Sequence, residues 1–220
     1  MGVAFALFTS IALGLLAVVV FYQMMTNFQP GKNKIQKDLR QMKAEIQPWY
    51  SELVPWEKGE LELLSLNQIN KTSKKRIVTK SKGIFTSIYH EPMIAYSLKK
   101  YVAPGVNALL YARTAQHEFV YRIKARGVEI MIDEQKIGTL KKNGAFYSAR
   151  KNKLLAQVNR DSDALLLPVI VKDKEVANIV NPKKTSKTNP RAFEFVSNME
   201  KEEETFFLSL AILELVQREL

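Results

Sequence analysis

Lys71, Lys74, Lys75, Arg76, Lys80 and Lys82 fall within twelve residues that contain no acidic side chain. Thr72, Ser73, Thr79 and Ser81 place hydroxyl donors between them. Side chains of these types hold phosphate or carboxylate by charge-assisted hydrogen bonds. They also keep a sheet edge from pairing with another chain. A second basic group, Lys183, Lys184, Lys187 and Arg191, follows Pro182 and has the same two uses.

Acid–base and nucleophilic chemistry has much less to work with. The chain has no Cys and only two histidines, His90 and His117, each followed by a glutamate. Adjacent side chains on a strand point to opposite faces, so neither His-Glu pair makes a local couple. With no cysteine and two distant histidines, a zinc site would need carboxylates brought in from elsewhere. No G-x-S-x-G, glycine-rich phosphate loop or H-E-x-x-H is present. No catalytic residue, metal or cofactor is assigned, and a protein without enzymatic activity is expected. Glu214 stands apart as a carboxylate inside an apolar segment. Buried there, it needs a strand Arg or Lys near an opening, or else it is itself a ligand or proton site.

The elements that carry these residues begin with a stretch that has no charge. Residues 1–31 contain no Lys, Arg, Asp or Glu, and Val3 to Met25 is almost wholly apolar. Its length fits one crossing of a ~30 Å hydrocarbon core. Lys32, Lys34, Lys37, Arg40 and Lys43 follow it and no basic residue precedes it. The positive-inside bias then puts the N-terminus outside and the rest in the cytoplasm. Lys32 to Gln47 has Ile35, Leu39, Met42 and Ile46 on one stripe, which predicts a helix lying on lipid, packing on the domain or forming an oligomer seam. Trp49, Tyr50 and Trp56 follow, either as a headgroup belt or as packing.

From about residue 59 the pattern changes to alternation. Phe119, Tyr121 and Ile123 alternate with Val120, Arg122 and Lys124; Val128, Ile130 and Ile132 alternate with Glu129, Met131 and Asp133. Turn signals recur at Gly127, Asp133-Glu134, Asn143-Gly144 and Lys172-Asp173. About ten to twelve short antiparallel strands are predicted, in a sandwich or barrel. The chain closes with a helix over about 199–217, capped by Ser197 or Asn198. Glu200, Glu202, Glu203 and Glu204 load its first turn, and Phe206 to Val216 is apolar on every side. A helix apolar all round must be buried all round. At about twelve apolar residues it is too short to span a bilayer, and a barrel closed around it is the simplest container. The expected domains are therefore a transmembrane anchor over 1–28, an amphipathic helix and linker over 29–58, and a mainly β domain over 59–220.

This order of elements, the rhythm of Gly127-Val128-Glu129-Ile130-Met131-Ile132-Asp133 and Ile137-Gly138, and the final Thr205-to-Val216 helix resemble the tubby C-terminal superfamily over residues 60–220. That superfamily includes the tubby, LURP-one-related and phospholipid scramblase proteins. The resemblance implies a closed barrel around a central helix, phosphoinositide binding as in tubby domains, and lipid movement as in scramblases. The scramblase anchor is C-terminal, whereas the apolar segment here is N-terminal. The calcium-binding acidic segment and the cysteine-rich palmitoylation segment have no counterpart.

Charge narrows the partners. Residues 71–191 carry twenty-five basic and nine acidic residues, whereas 192–220 carry two and seven. A surplus held at a cytoplasmic leaflet meets anionic lipid before nucleic acid. The expected function is a membrane-anchored module that binds an anionic phospholipid headgroup or a protein partner. The other readings are a structural subunit of an envelope complex or homo-oligomer, an enzyme with a site assembled only in three dimensions, and a tethered nucleic-acid binder.

Overall fold

A computed structural model describes residues 2–28, 30–56, 59–74, 79–160, 164–185 and 190–219. Helix α1 (Gly2–Phe28) holds no charged residue. Phe5, Leu7, Phe8, Ile11, Leu15 and Phe21 on it are all exposed. Its side chains are described without a gap over 7–22, about 24 Å of helix at ~1.5 Å per residue. Among the described residues no helix is long and apolar enough to cross a membrane.

Helix α2 (Lys32–Ile46) has Gly31 as its N-cap, with extended backbone and no side chain to cap it. A 3-10 turn at Gln47–Glu52 follows, with Pro48 at its start, where the missing N–H costs nothing. The stripe foreseen as a seam is covered from within. Met42 and Ile46 are buried, and with Ile35 and Leu39 they pack on Ile84, Ala95, Leu109, Tyr111 and Val120 of the sheet. Of the three uses of this stripe, packing on the domain is the one described, with Ile35 and Leu39 half-buried.

Twelve strands follow in strict neighbour order: β1 (Leu64–Lys74), β2 (Thr79–Ser87), β3 (Pro92–Lys100), β4 (Asn107–Arg113), β5 (Glu118–Lys124), β6 (Gly127–Ile132), β7 (Gln135–Leu140), β8 (Ala145–Ser148), β9 (Leu154–Val158), β10 (Leu166–Val171), β11 (Lys174–Val180) and β12 (Phe193–Glu194). Every pairing is antiparallel. The Ala192 amide donates to the Leu64 carbonyl at 2.7 Å and the Leu66 amide to the Pro190 carbonyl at 3.0 Å. These bonds bring the last strand back to the first and nearly close the barrel. The two-residue turns at Asp133-Glu134 and Lys172-Asp173 have positive φ at both positions, the geometry that matches strand twist.

Alternation sorts the side chains by face. Phe119, Tyr121, Ile123, Val128, Ile130 and Ile132 join the interior cluster, while Val120 lies outside under α2. Helix α3 (Lys201–Glu219) fills the interior. Phe206 to Val216 are all buried, and each large apolar side chain so placed contributes ~1.5–3 kcal/mol. Phe207 meets Phe193 edge-on and Phe206 meets Phe146 edge-on, so the helix touches well-separated strands. The buried Ser209 hydroxyl donates to the Phe206 carbonyl at 2.8 Å, which spares it a distant partner. The cap is not Ser197 or Asn198: the helix starts later, and the Glu200 amide donates to the Glu203 carboxylate at 3.0 Å.

Gly144 shows how tightly strands approach. It has φ of 84°, and a methyl group there would collide with the Val158 backbone carbonyl. Backbone cannot swing aside as a side chain can. Gly144→Ala is expected to cost on the order of 3 kcal/mol, read as a lowered urea midpoint with an unchanged slope.

Candidate functional site

In a meander of consecutive neighbours, every second connection lies at the same end of the barrel. At one end the described connections and strand termini hold Lys74, Lys100, Lys124, Arg126, Lys141, Lys142, Arg160, Lys183 and Lys184, with Glu129 paired to Lys124 at 3.3 Å and Glu214 to Arg160; Asp161 and Asp163, which follow Arg160 in sequence, lie outside the described residues. The opposite end holds Glu60, Glu62, Glu91, Glu118, Asp133, Glu134, Asp173, Glu194, Glu200, Glu202, Glu203 and Glu204, against Arg113, Arg150, Lys151, Lys153, Lys172, Lys174 and Lys201. The barrel is thus polarised along its axis. The α1 exit belongs to the basic end: Asn107, which opens β4, donates from Nδ2 to the Phe28 carbonyl at 3.4 Å.

The residues nominated from sequence divide differently. Lys80 pairs with Glu45 at 3.5 Å. The Lys82 ammonium lies 5.4 Å from the centre of the Trp49 ring and donates to the Glu45 carbonyl at 3.5 Å. Both are directed at α2 and the turn after it. Lys71 and Lys74 lie on β1, whereas Lys75, Arg76 and Lys187 fall outside the described residues. Lys183 and Lys184 occupy the basic end. Their amides are anchored on Asn181, by its Oδ1 and its backbone carbonyl at 3.2 Å and 3.0 Å. Arg191 bridges Ser65 at the barrel seam and pairs with Glu62 at 3.6 Å. Lys100, Lys124, Arg126, Lys141 and Lys142 were missed because no two neighbouring turns in sequence share an end. The signal was present as basic residues in every second connection.

Glu214 is 3% exposed, and the Arg160 Nε donates to its Oε1 at 2.7 Å. A second guanidinium nitrogen lies 2.5 Å from the same oxygen. Arg160 follows β9 at the basic end, so the carboxylate has the partner near an opening that its position demands. Removing one partner leaves the other charged and buried, so Arg160→Ala is expected to lower stability by about 3 kcal/mol in chemical denaturation. The double variant Arg160→Met, Glu214→Leu is expected to recover most of the loss.

The aromatics after α2 pack on the barrel, Trp49 and Tyr50 in the outer cluster and Trp56 against the interior one. The Tyr50 and Tyr111 hydroxyls are 2.9 Å apart, Arg113 covers the Tyr50 ring at 4.5 Å, and the Trp56 indole donates to Glu204 at 2.7 Å. The two histidines sit in turns and not within strands. His90 has positive φ between β2 and β3, and the His117 Nδ1 lies 2.7 Å from the Asp133 carboxylate. Burial raises the Asp133 pKa, but the Glu118 amide and His117 outweigh that and hold it below the usual range. Beside it a cleft of about 900 Å³ carries both signs of charge, with Asp133 and Glu202 facing Lys136 and Arg150. Among the described residues no three His, Asp or Glu side chains gather as metal ligands.

One charged group is buried between α2 and the sheet. Asp38, 2% exposed, takes the Lys99 ammonium at 2.7 Å and the Tyr101 hydroxyl at 2.8 Å, with Lys34 at 3.4 Å. Burial alone would raise the Asp38 pKa, but those hydrogen bonds and the two ammonium charges hold it below the usual range. Burial pushes Lys99 down despite its partner, and burial with the Asp38 bond pushes Tyr101 up. This cluster ties the segment that follows α1 to the barrel.

No family model, curated protein or solved structure matches this chain.

Proposed function

We propose that this protein is a single-pass membrane module whose barrel rests its basic end on an anionic leaflet. In this reading α1 is the anchor. The ground for this is the sequence: residues 1–31 carry no charge to desolvate, and the apolar run Val3 to Met25 has the length of one crossing of a ~30 Å hydrocarbon core. The barrel then lies in the cytoplasm, following the basic residues after Phe28. The observation that carries the proposal is the coincidence of the α1 exit with the end whose described connections are rich in Lys and Arg. Anionic headgroups favour each nearby Lys or Arg by ~1 kcal/mol. Three residues, 29–31, separate α1 from α2, and the buried Asp38–Lys99 pair holds α2 to the barrel. The barrel would therefore meet the bilayer in one fixed orientation. The module is non-catalytic, and phospholipid is the partner. The tubby-like resemblance agrees with twelve antiparallel strands around a C-terminal helix.

Flotation of residues 32–220 with vesicles tests this. Binding is expected to need anionic lipid and to fall as salt is raised. Equal recovery on neutral vesicles, or binding indifferent to salt, would count against it. Retention on DNA with no affinity for acidic vesicles would favour the nucleic-acid reading instead.

A further inference from the structure

The connection between β3 and β4 reads Tyr101-Val102-Ala103-Pro104-Gly105-Val106, without a charged residue at the most basic end of the molecule. Val106 is 60% exposed and Val102 37% exposed. Lys100 precedes this loop, and Lys124 and Arg126 occupy the neighbouring connection. An exposed apolar loop flanked by cations fits the boundary between headgroups and acyl chains better than it fits water.

The loop separates two clefts. The outer one, about 300 Å³, is bounded by Phe28 and Pro30 from the α1 exit. The inner one, about 560 Å³, runs from Ala103 and Val106 to Leu98, Ala108 and Ile123, with Gln217 near the end of α3. Leu98, Ala108 and Ile123 belong to the interior core of the barrel. The inner cleft is thus an apolar slot that starts at the loop and enters the barrel mouth. The polar side chains around it are few, Lys100, Asn107 and Gln217 among them.

That lining selects the occupant. A free phosphate or a nucleotide would lose hydration with too few groups to replace it, and a peptide would bring backbone amides needing partners. A hydrocarbon chain with one anionic end needs neither, and the volume lies in the ordinary range for a small-ligand site. We propose that the inner cleft holds one acyl chain of a bilayer phospholipid, admitted over the apolar loop, with its phosphate beside Lys100. This rests on the basic end facing the membrane.

Photolabelling the full-length chain in vesicles separates the two ideas. The probe is a phosphatidylglycerol with a diazirine at the end of one acyl chain, and adducts are mapped by peptide mass spectrometry. Adducts are expected on α1 and on Leu98, Ala108 or Ile123. Ala108→Phe, which fills the slot, is expected to abolish the interior adducts and leave those on α1. Val106→Lys, on the exposed loop, leaves the core untouched and is expected to reduce the interior adducts several-fold. Adducts on α1 with none in the interior, or interior adducts unchanged in both variants, would overturn the slot alone. A chain unlabelled on α1 as well would overturn the membrane reading and the slot together.

Discussion

Replacing Lys141, Lys142, Lys183 and Lys184 together by Glu is expected to release residues 32–220 from anionic vesicles. The four lysines are exposed in two connections at the basic end. The Lys141 ammonium lies over its neighbour Tyr147 at 4.2 Å, which leaves its charge in place. At ~1 kcal/mol each, neutralisation alone removes about 4 kcal/mol, roughly a thousandfold in partitioning, and reversal adds repulsion. Fold is expected to survive, since none of the four is buried. The comparison that matters is Lys151→Glu with Lys153→Glu at the opposite end. These are expected to change flotation little. Equal loss per lysine at both ends would mean that net charge acts without orientation.

Asp38→Ala is expected to cost about 3 kcal/mol in chemical denaturation. Breaking a buried pair costs ~3–5 kcal/mol because the surviving charge stays desolvated. The lower end applies here, because the cluster lies beneath a single helix on the outer face and its Lys34 member is partly exposed. Asp38→Leu with Lys99→Met is expected to restore stability, which Asp38→Ala with Lys99 intact cannot. The same cluster sets an acid limit. A carboxylate whose folded pKa is depressed contributes fully above its unfolded value of ~3.9, and the contribution is lost as pH falls through the lower folded value. Wild type is therefore expected to lose stability below about pH 4 more steeply than the double variant, measured as urea midpoints against pH. Because α2 follows α1 so closely, Asp38→Ala is also expected to loosen the barrel from its anchor. Protease cleavage near Gly31 in reconstituted vesicles would report that.

The strand faces were legible because alternation has only one solution once one face is dry. Phe119, Tyr121 and Ile123 had to point together, and a terminal helix without a polar side had to be enclosed. The turn chemistry at Asp133-Glu134 and Lys172-Asp173 was equally local. The surroundings of Lys80 and Lys82 were not legible, because a cluster in sequence says nothing of what packs over it. Glu45 and Trp49 come from another element, and only packing aims them at those two lysines. Asp38 gave no signal either, since one acidic residue on a basic helix looks solvated until Lys99 and Tyr101 are brought under it.

By itself the sequence determined the elements: an uncharged first helix, an amphipathic second, short alternating strands and a final helix with no wet face. Those follow from local periodicity and the cost of desolvating charge. The tertiary structure decided where the basic residues sit. Their placement in every second connection becomes a charged end only because consecutive strands are neighbours, and that pairing is a long-range choice no window of sequence contains. The same pairing closes the barrel on α3, supplies Arg160 to Glu214, and leaves an apolar slot beside the basic end.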